Sequence, residues 1–190
     1  YRGTYVVLLH SPMVNRHGVE VTTAVTNLDI HDIARSCKTY GMLRYYIVNP
    51  SEQQEKLVGR ILDHWKTEAY KVHHPSRAQA IEIVSFRRTF IETFNEVTTE
   101  NNGITPFVVM PDAKLLEGAW SYYQLKENLR NGDIERPLMI VFGTGWGISP
   151  SFYSNVDCFL EPIMGKSAYN HLSVRAAVAI VLDKIFGKRE

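Results

Sequence analysis

Leu138-Met139-Ile140-Val141-Phe142, running directly into Gly143-Thr144-Gly145-Trp146-Gly147, is the stretch on which the fold turns. Five apolar residues in a row have the length and composition of a buried strand. Glycines just past such a strand carry no Cβ and admit positive φ, so a ligand can approach the backbone closely. A second apolar run leads through Glu161-Pro162-Ile163-Met164-Gly165 to Asn170-His171-Leu172-Ser173-Val174 and a long terminal helix. Two such loops in succession predict one shared pocket.

Outward from this stretch, strands and helices alternate. Tyr5 to His10 has strand length, and Leu28 to Tyr40 places Ile30, Ile33, Ala34 and Cys37 at helical spacing before Gly41. Arg44 to Asn49 is the next strand. Ser51 caps a helix through Trp65 with Glu52 and Glu55 in its first turns, Ser76 to Val84 is a short helix, and Val84 to Arg87 a strand. Phe90 to Val97 reads as helix, Pro106 to Pro111 as strand, Tyr122 to Leu129 as helix, Pro137 to Phe142 as strand, and Phe159 to Ile163 as the last strand. This alternation predicts an α/β fold, a mostly parallel sheet flanked by helices on both faces. Leu172 to Phe186 is a helix apolar around most of its circumference, which calls for cover on two sides: the sheet on one and a second subunit on the other.

Composition agrees with a single domain over residues 1–190. Of the 190 residues 45% are hydrophobic and 22% charged, enough for a full core without staples. The net charge of +1 gives no basic field over the whole surface, so nucleic-acid affinity would need a local patch. Cys37 and Cys158 stand far apart without a CxxC or His-rich companion, which argues against zinc and against a disulfide framework, and predicts a reduced cytoplasmic protein. No apolar stretch approaches the roughly 20 residues that span a bilayer, and Tyr1-Arg2-Gly3-Thr4-Tyr5 carries no signal-peptide pattern. His10, His64, His73 and His74 lack metal-ligand spacing, so no metal is expected; His73-His74 reads as surface loop.

The 17 residues from Ser11 to Asn27 form an unusually long connection, and such loops tend to carry function. Asn15, Arg16, His17, Thr22, Thr23, Thr26 and Asn27 offer groups that bind phosphate, ribose or base edges. The alternative is a Gly18-centred hairpin that covers the sheet.

Together these residues carry a family resemblance. Leu138 through Ser149 resembles the second motif of the SPOUT class of RNA methyltransferases, an apolar strand followed by a glycine-flanked loop. Glu161 through Val181 resembles the third, a Pro and Gly turn followed by an Asn and Ser segment opening an alanine-rich helix, and Arg35-Ser36-Cys37-Lys38-Thr39-Tyr40-Gly41 resembles the first. The whole chain looks closest to a less characterised branch, SAM-dependent RNA methyltransferases found alone or joined to a tRNA guanine-N1 methyltransferase. The resemblance implies an α/β knot whose C-terminal segment threads an earlier loop as a trefoil. It also implies S-adenosyl-L-methionine (SAM) as cofactor, a homodimer with its active sites at the interface, and RNA, above all tRNA, as substrate. Carried over by position, Val109, Met110, Pro111, Phe142, Gly143, Thr144, Gly147, Ile148, Pro162, Ile163, Asn170 and Leu172 would line the SAM pocket, and Asn15, Arg16, His17 and Asn27 would meet RNA.

The chain departs from the SpoU ribose pattern at the catalytic positions. Asp29 and His31 stand where that pattern has an Asn and a Gly before the Arg, and His171 replaces the third motif's Asn, while Ser173 remains. Methyl transfer from a sulfonium needs an aligned acceptor lone pair and removal of the acceptor's proton. Arg35 suits orientation of the acceptor; Asp29 or His31 suits proton removal, and a carboxylate tilts the reading toward a base acceptor over a ribose hydroxyl. Each has a plainer reading: Asp29 complements a helix dipole, Arg35 is a solvated charge, and His171 caps the last helix. Two rival functions follow. Gly143-x-Gly145-x-Gly147 with Glu161 superficially fits a dinucleotide fingerprint, and the altered motifs fit a non-catalytic knot domain that binds SAM or RNA for a partner.

Overall fold

The computed structural model describes residues 2–67, 72–167 and 169–188. Six parallel strands form one sheet in the order β5-β4-β1-β7-β6-β8. They are β1 (Thr4–Leu9), β4 (Arg44–Val48), β5 (Val84–Arg87), β6 (Phe107–Pro111), β7 (Leu138–Phe142) and β8 (Cys158–Leu160). Every residue of β1 and of β7 is buried. Their unbroken apolar runs suit the centre of a sheet covered on both faces, with Val6 opposite Tyr45 on one side and Ile140 on the other.

Helices α1 (Asn27–Thr39), α2 (Glu52–Lys66), α3 (Pro75–Ile81), α5 (Tyr122–Asn131) and α6 (Val174–Phe186) cover one face. Ile30, Ile33, Val58, Ile81, Leu125, Val181 and Leu182 interlock there with Val6, Leu8 and Ile140. Helix α4 (Phe90–Glu100) lies on the other face, where Val97 packs with Tyr5, Val7 and Val141. Thr26, Ser51, Thr89, Ser121 and Ser173 each cap a helix by accepting a backbone N–H.

The structure specifies one loop that the sequence left open and corrects the sequence reading at two places. The Ser11–Asn27 connection contains a hairpin, β2 (Met13–Val14) with β3 (Glu20–Val21), turned through Gly18 at φ +75°. The last strand stops at Leu160 because Pro162 lacks the N–H that a longer ladder needs, and Glu161 N–H donates instead to Trp120 O at 2.9 Å. The terminal helix starts at Val174, leaving His171 and Leu172 in the loop before it. Val178, Val181, Leu182 and Ile185 bury its inner face, while Ala176, Ala179 and Ile180 stay half-buried.

Between β7 and β8 the chain makes only a short 3-10 helix, Pro150–Asn155. A dinucleotide fingerprint needs a full helix after its glycines, so that reading is set aside. Among the described residues no helix is long and apolar enough to cross a membrane, and no group of His, Cys, Asp and Glu could hold a metal ion.

Candidate functional site

The sheet order reverses beside β1: the chain builds β4 and β5 outward on one side, then returns to lay β7 and β6 on the other. In open α/β sheets the crevice beyond the carboxyl ends of the strands at such a switch point is where ligands bind. Here it is a cleft of about 1070 Å³, walled by the loops after β1, β6 and β7, by Ile163 and by residues 170–175. Apolar Phe142, Ile163, Leu172 and Val181 and polar Thr23, Thr144, Asn170 and Arg175 line it together. That mixture suits a ligand with a ring to cover and polar groups to orient.

The glycine loop is built for this position. Gly145 (φ +60°) and Gly147 (φ +108°) take left-handed backbone that other residues resist, and between them Trp146 is turned outward, 68% exposed at the cleft. Gly143 has another role: a Cβ there would sit 2.5 Å from Ile148 Cγ1, so its glycine serves the loop's own packing. The hairpin buttresses the loop. Val14 N–H donates to Gly147 O at 2.9 Å, Ser149 N–H to Pro12 O at 3.0 Å, and Thr144 N–H to Met13 Sδ at 3.2 Å. Hydrogen bonds from Ser149 and then Ser151 hold the Glu20 carboxyl below its usual range.

Of the residues expected around a cofactor, Pro111, Phe142, Gly143, Thr144, Gly147, Ile148, Ile163, Asn170 and Leu172 line the cleft. Val109 and Met110 lie inside the sheet with no exposure, and Pro162 is not among the lining residues. Of the expected catalytic residues, Asp29, His171 and Ser173 line the cleft; Arg35 and His31 do not. Arg35 is exposed and shares a shallow hollow with His73, His74 and Arg77. His31 is half-buried edge-on against Trp65, ring centres 5.2 Å apart, and burial, then the Arg77 charge, lowers its pKa. Asn15, Arg16, His17 and Asn27 lie outside the cleft. Asn15 holds the hairpin turn by accepting from His17 N–H and Val19 N–H, and Arg16, His17 and Asn27 are exposed.

The main residue missed from sequence is Arg175. Its Nη1 donates to Asp29 Oδ1 at 2.9 Å and its Nε faces Asp32 at 3.5 Å, while the Thr26 hydroxyl donates to Asp29 Oδ2 at 2.6 Å. Both carboxylate oxygens of Asp29 are therefore engaged. One signal was present: a cation in the first turn of a helix opposes the dipole and needs a carboxylate nearby. Asn170 Nδ2 donates to Ala113 O at 2.7 Å, tying the two loops of the cleft together. Neither thiol offers a nucleophile: both cysteines are buried, and burial pushes Cys37 far up and Cys158 up to about 12.

His10, at the end of β1, is buried behind the cleft, with Nδ1 2.9 Å from Thr23 Oγ1. Burial holds its pKa at about 4 against an ordinary 6.5, the Asp29 charge pulling weakly the other way. Above pH 6.5 the ring is neutral in folded and unfolded chains alike. As pH falls from 6.5 toward 4, only the unfolded chain takes up the proton, so this group lowers folding stability by up to about 3 kcal/mol across that window. Urea midpoints measured between these pH values should fall for wild type more steeply than for His10→Asn.

A family model described as SAM-dependent RNA methyltransferase matches residues 3–187. A protein of Aquifex aeolicus (strain VF5), named only "Uncharacterized protein", is 36% identical over 184 residues, 97% of this chain and 88% of its own length. A "tRNA (guanine-N(1)-)-methyltransferase" of Oleidesulfovibrio alaskensis is 35% identical over 186 residues, and this chain, 98% covered, spans 42% of that relative's length. Among solved structures, the A. aeolicus TrmH/SpoU tRNA modifying enzyme shares the fold at TM-score 0.58, with 14% identity over 97% of this chain and 74% of that one.

Proposed function

Since the chain belongs to the SAM-dependent RNA methyltransferase family, we propose that the switch-point cleft is where it holds SAM and that it methylates tRNA there, as a cytoplasmic homodimer. The observation that carries the reading is that the glycine loop and residues 170–175 line the same cleft. When bound, SAM supplies an electrophilic methyl group. Backbone groups of the Gly143–Ile148 loop would hydrogen-bond it, Ile163 and Leu172 would cover its ring and exclude water, and Thr144 and Asn170 would orient its polar groups. Residues 1–190 act as one unit in this reading. The tRNA substrate is argued from the name of the Oleidesulfovibrio relative, and a partner tRNA methyltransferase domain from the unmatched remainder of that relative.

Two features support the dimer. The outer face of α6 keeps Ala176, Ala179 and Ile180 half-buried, and Arg35 lies outside the cleft of its own chain. We read β8 and the chain that follows it as the segment that threads the 112–121 loop to make the knot, supported by the bonds of Trp120 N–H to Phe159 O and of Asn170 to Ala113 O.

Trp146 then becomes a stacking platform for a nucleobase. Trp146→Ala should weaken binding of the substrate RNA by about 1–3 kcal/mol, and Trp146→Phe by much less, with SAM affinity unchanged, as read by titration. The proposed function is tested by transfer of radiolabelled methyl from SAM to total RNA of a strain lacking the protein, with nuclease mapping to separate base from ribose. Incorporation into tRNA is expected. No incorporation despite measured SAM binding would instead favour a SAM- or RNA-binding domain that serves a partner.

A further inference from the structure

We propose that buried His10 is a positioning residue for the cleft: through the Thr23 hydroxyl it turns the Thr144 hydroxyl so that Thr144 donates a hydrogen bond to the ligand. The proposal rests on the assignment of SAM to this cleft and adds a residue that lies outside its walls.

Three polar groups stand in a row. His10 Nδ1 is 2.9 Å from Thr23 Oγ1, and Thr23 Oγ1 is hydrogen-bonded to Thr144 Oγ1. Thr23 and Thr144 line the cleft, and His10 does not. The backbone fixes the row: Thr23 N–H donates to His10 O at 2.9 Å, Asn49 Nδ2 donates to Thr23 O at 2.9 Å, and His10 N–H donates to Val48 O at 3.0 Å. Neither threonine has to move for its proton to be redirected.

Each hydroxyl has one proton, so the imidazole tautomer sets the sense of the whole row. With the proton on Nδ1, His10 donates to Thr23, and the Thr23 proton goes to Thr144, which stands much closer than its other acceptor, His10 O at 3.5 Å, so the Thr144 proton is left for the cleft. With the proton on Nε2, Thr23 must donate to Nδ1 and Thr144 to Thr23, so only lone pairs face the ligand. Nε2 is buried and without a hydrogen-bond partner among the described residues. The first arrangement strands a lone pair there and the second strands an N–H. Orphaned buried N–H groups are the rarer of the two, which favours the first. Thr144 is then a donor, matched to the oxygen and ring-nitrogen acceptors that SAM carries.

Two measurements on the full chain test this. Two-bond proton–nitrogen correlation spectra of chain labelled at histidine with nitrogen-15, assigned by the peak lost in His10→Asn, read the tautomer without any ligand. Calorimetric titration with SAM then compares wild type with Thr144→Val, Thr144→Ser, His10→Leu, His10→Asn and the double variant His10→Leu/Thr144→Val. An Nδ1–H tautomer is expected, with about tenfold weaker SAM binding in Thr144→Val and near wild-type binding in Thr144→Ser. His10→Leu should lose a similar factor, the double variant no more than Thr144→Val, and His10→Asn, whose amide N–H stands close to the Nδ1 position, should recover most of it. An Nε2–H tautomer, wild-type affinity in Thr144→Val, or additive losses in the double variant would each overturn the proposal. Should His10→Leu fail to fold, the tautomer and the two Thr144 variants decide it. A wild-type chain that binds no SAM would overturn the cleft assignment as well, and that failure is told apart because the wild-type titration reads it alone.

Discussion

Arg35→Ala is expected to lower methyl transfer to RNA by about 10²- to 10³-fold, the effect of removing one preorganised charged donor, while SAM affinity stays at the wild-type level. The two halves of that expectation follow from where Arg35 stands. It is exposed, lines none of the cleft, and no ion pair among the described residues engages it. In the proposed dimer a guanidinium placed there meets an acceptor over the SAM-bound cleft of the second copy. Mixed dimers separate this from a solvated surface charge. Arg35→Ala is combined with a chain whose cleft is filled by Ile163→Trp, and each variant is also assayed alone. Both pure dimers should be inactive and the mixture should regain activity, because one of its two sites joins an intact cleft to an intact Arg35. Full activity in pure Arg35→Ala would make the residue a solvated charge; an inactive mixture would put Arg35 in the service of its own chain.

Helix α1 shows how far such an arrangement could be read in advance. Ile30, Ile33, Ala34 and Cys37 announce the buried stripe by their spacing, and the structure buries them. His31 and Arg35 are four apart and so share a face, whereas Asp29 and Arg35, six apart, are rotated well away from each other. Within one chain α1 therefore turns Asp29 and Arg35 to different faces, a separation that the sequence reading did not draw when it gave both to the acceptor. The glycine loop was legible because it depends on residues a few positions apart, whereas the cap of the last helix, given to His171 in the sequence reading, is Ser173. The Arg175–Asp29 pair joins residues 146 apart, and the Thr23–Thr144 contact spans 121. No local periodicity encodes such pairings: the parallel sheet brings the ends of β1 and β7, and so Thr23 and Thr144, side by side, and the packing of α1 against α6 brings Asp29 to Arg175. His10 read as the last residue of a strand for the same reason, its partners lying on other segments of the chain.

Arg175→Ala is expected to cost about 3 kcal/mol of folding stability, and with it much of the SAM affinity of the cleft. The Asp29 side chain is 7% exposed and Arg175 31%, so the loss sits at the low end for a buried ion pair, some of the guanidinium's charge being screened by water. Without Arg175, Asp29 keeps the Thr26 hydroxyl and loses the one cation that pairs with it among the described residues, and a buried carboxylate short of partners destabilises the α1–α6 contact at the cleft. The same geometry bears on the choice of proton acceptor. A general base must reach the proton it removes, and both Asp29 oxygens are already accepting, one from Arg175 and one from Thr26. Asp29→Asn paired with Arg175→Gln replaces the charges with amides that can still hydrogen-bond each other. That double variant should melt within about 1 kcal/mol of wild type and keep methyl transfer within about tenfold, since removing both partners of a pair costs far less than stranding one. A loss of more than about 10³-fold in Asp29→Asn alone, with stability and SAM binding intact, would return Asp29 to the role of base. The expected pattern makes it instead the anchor that holds the first turn of α6, and with it His171 and Ser173, against the wall of the cleft.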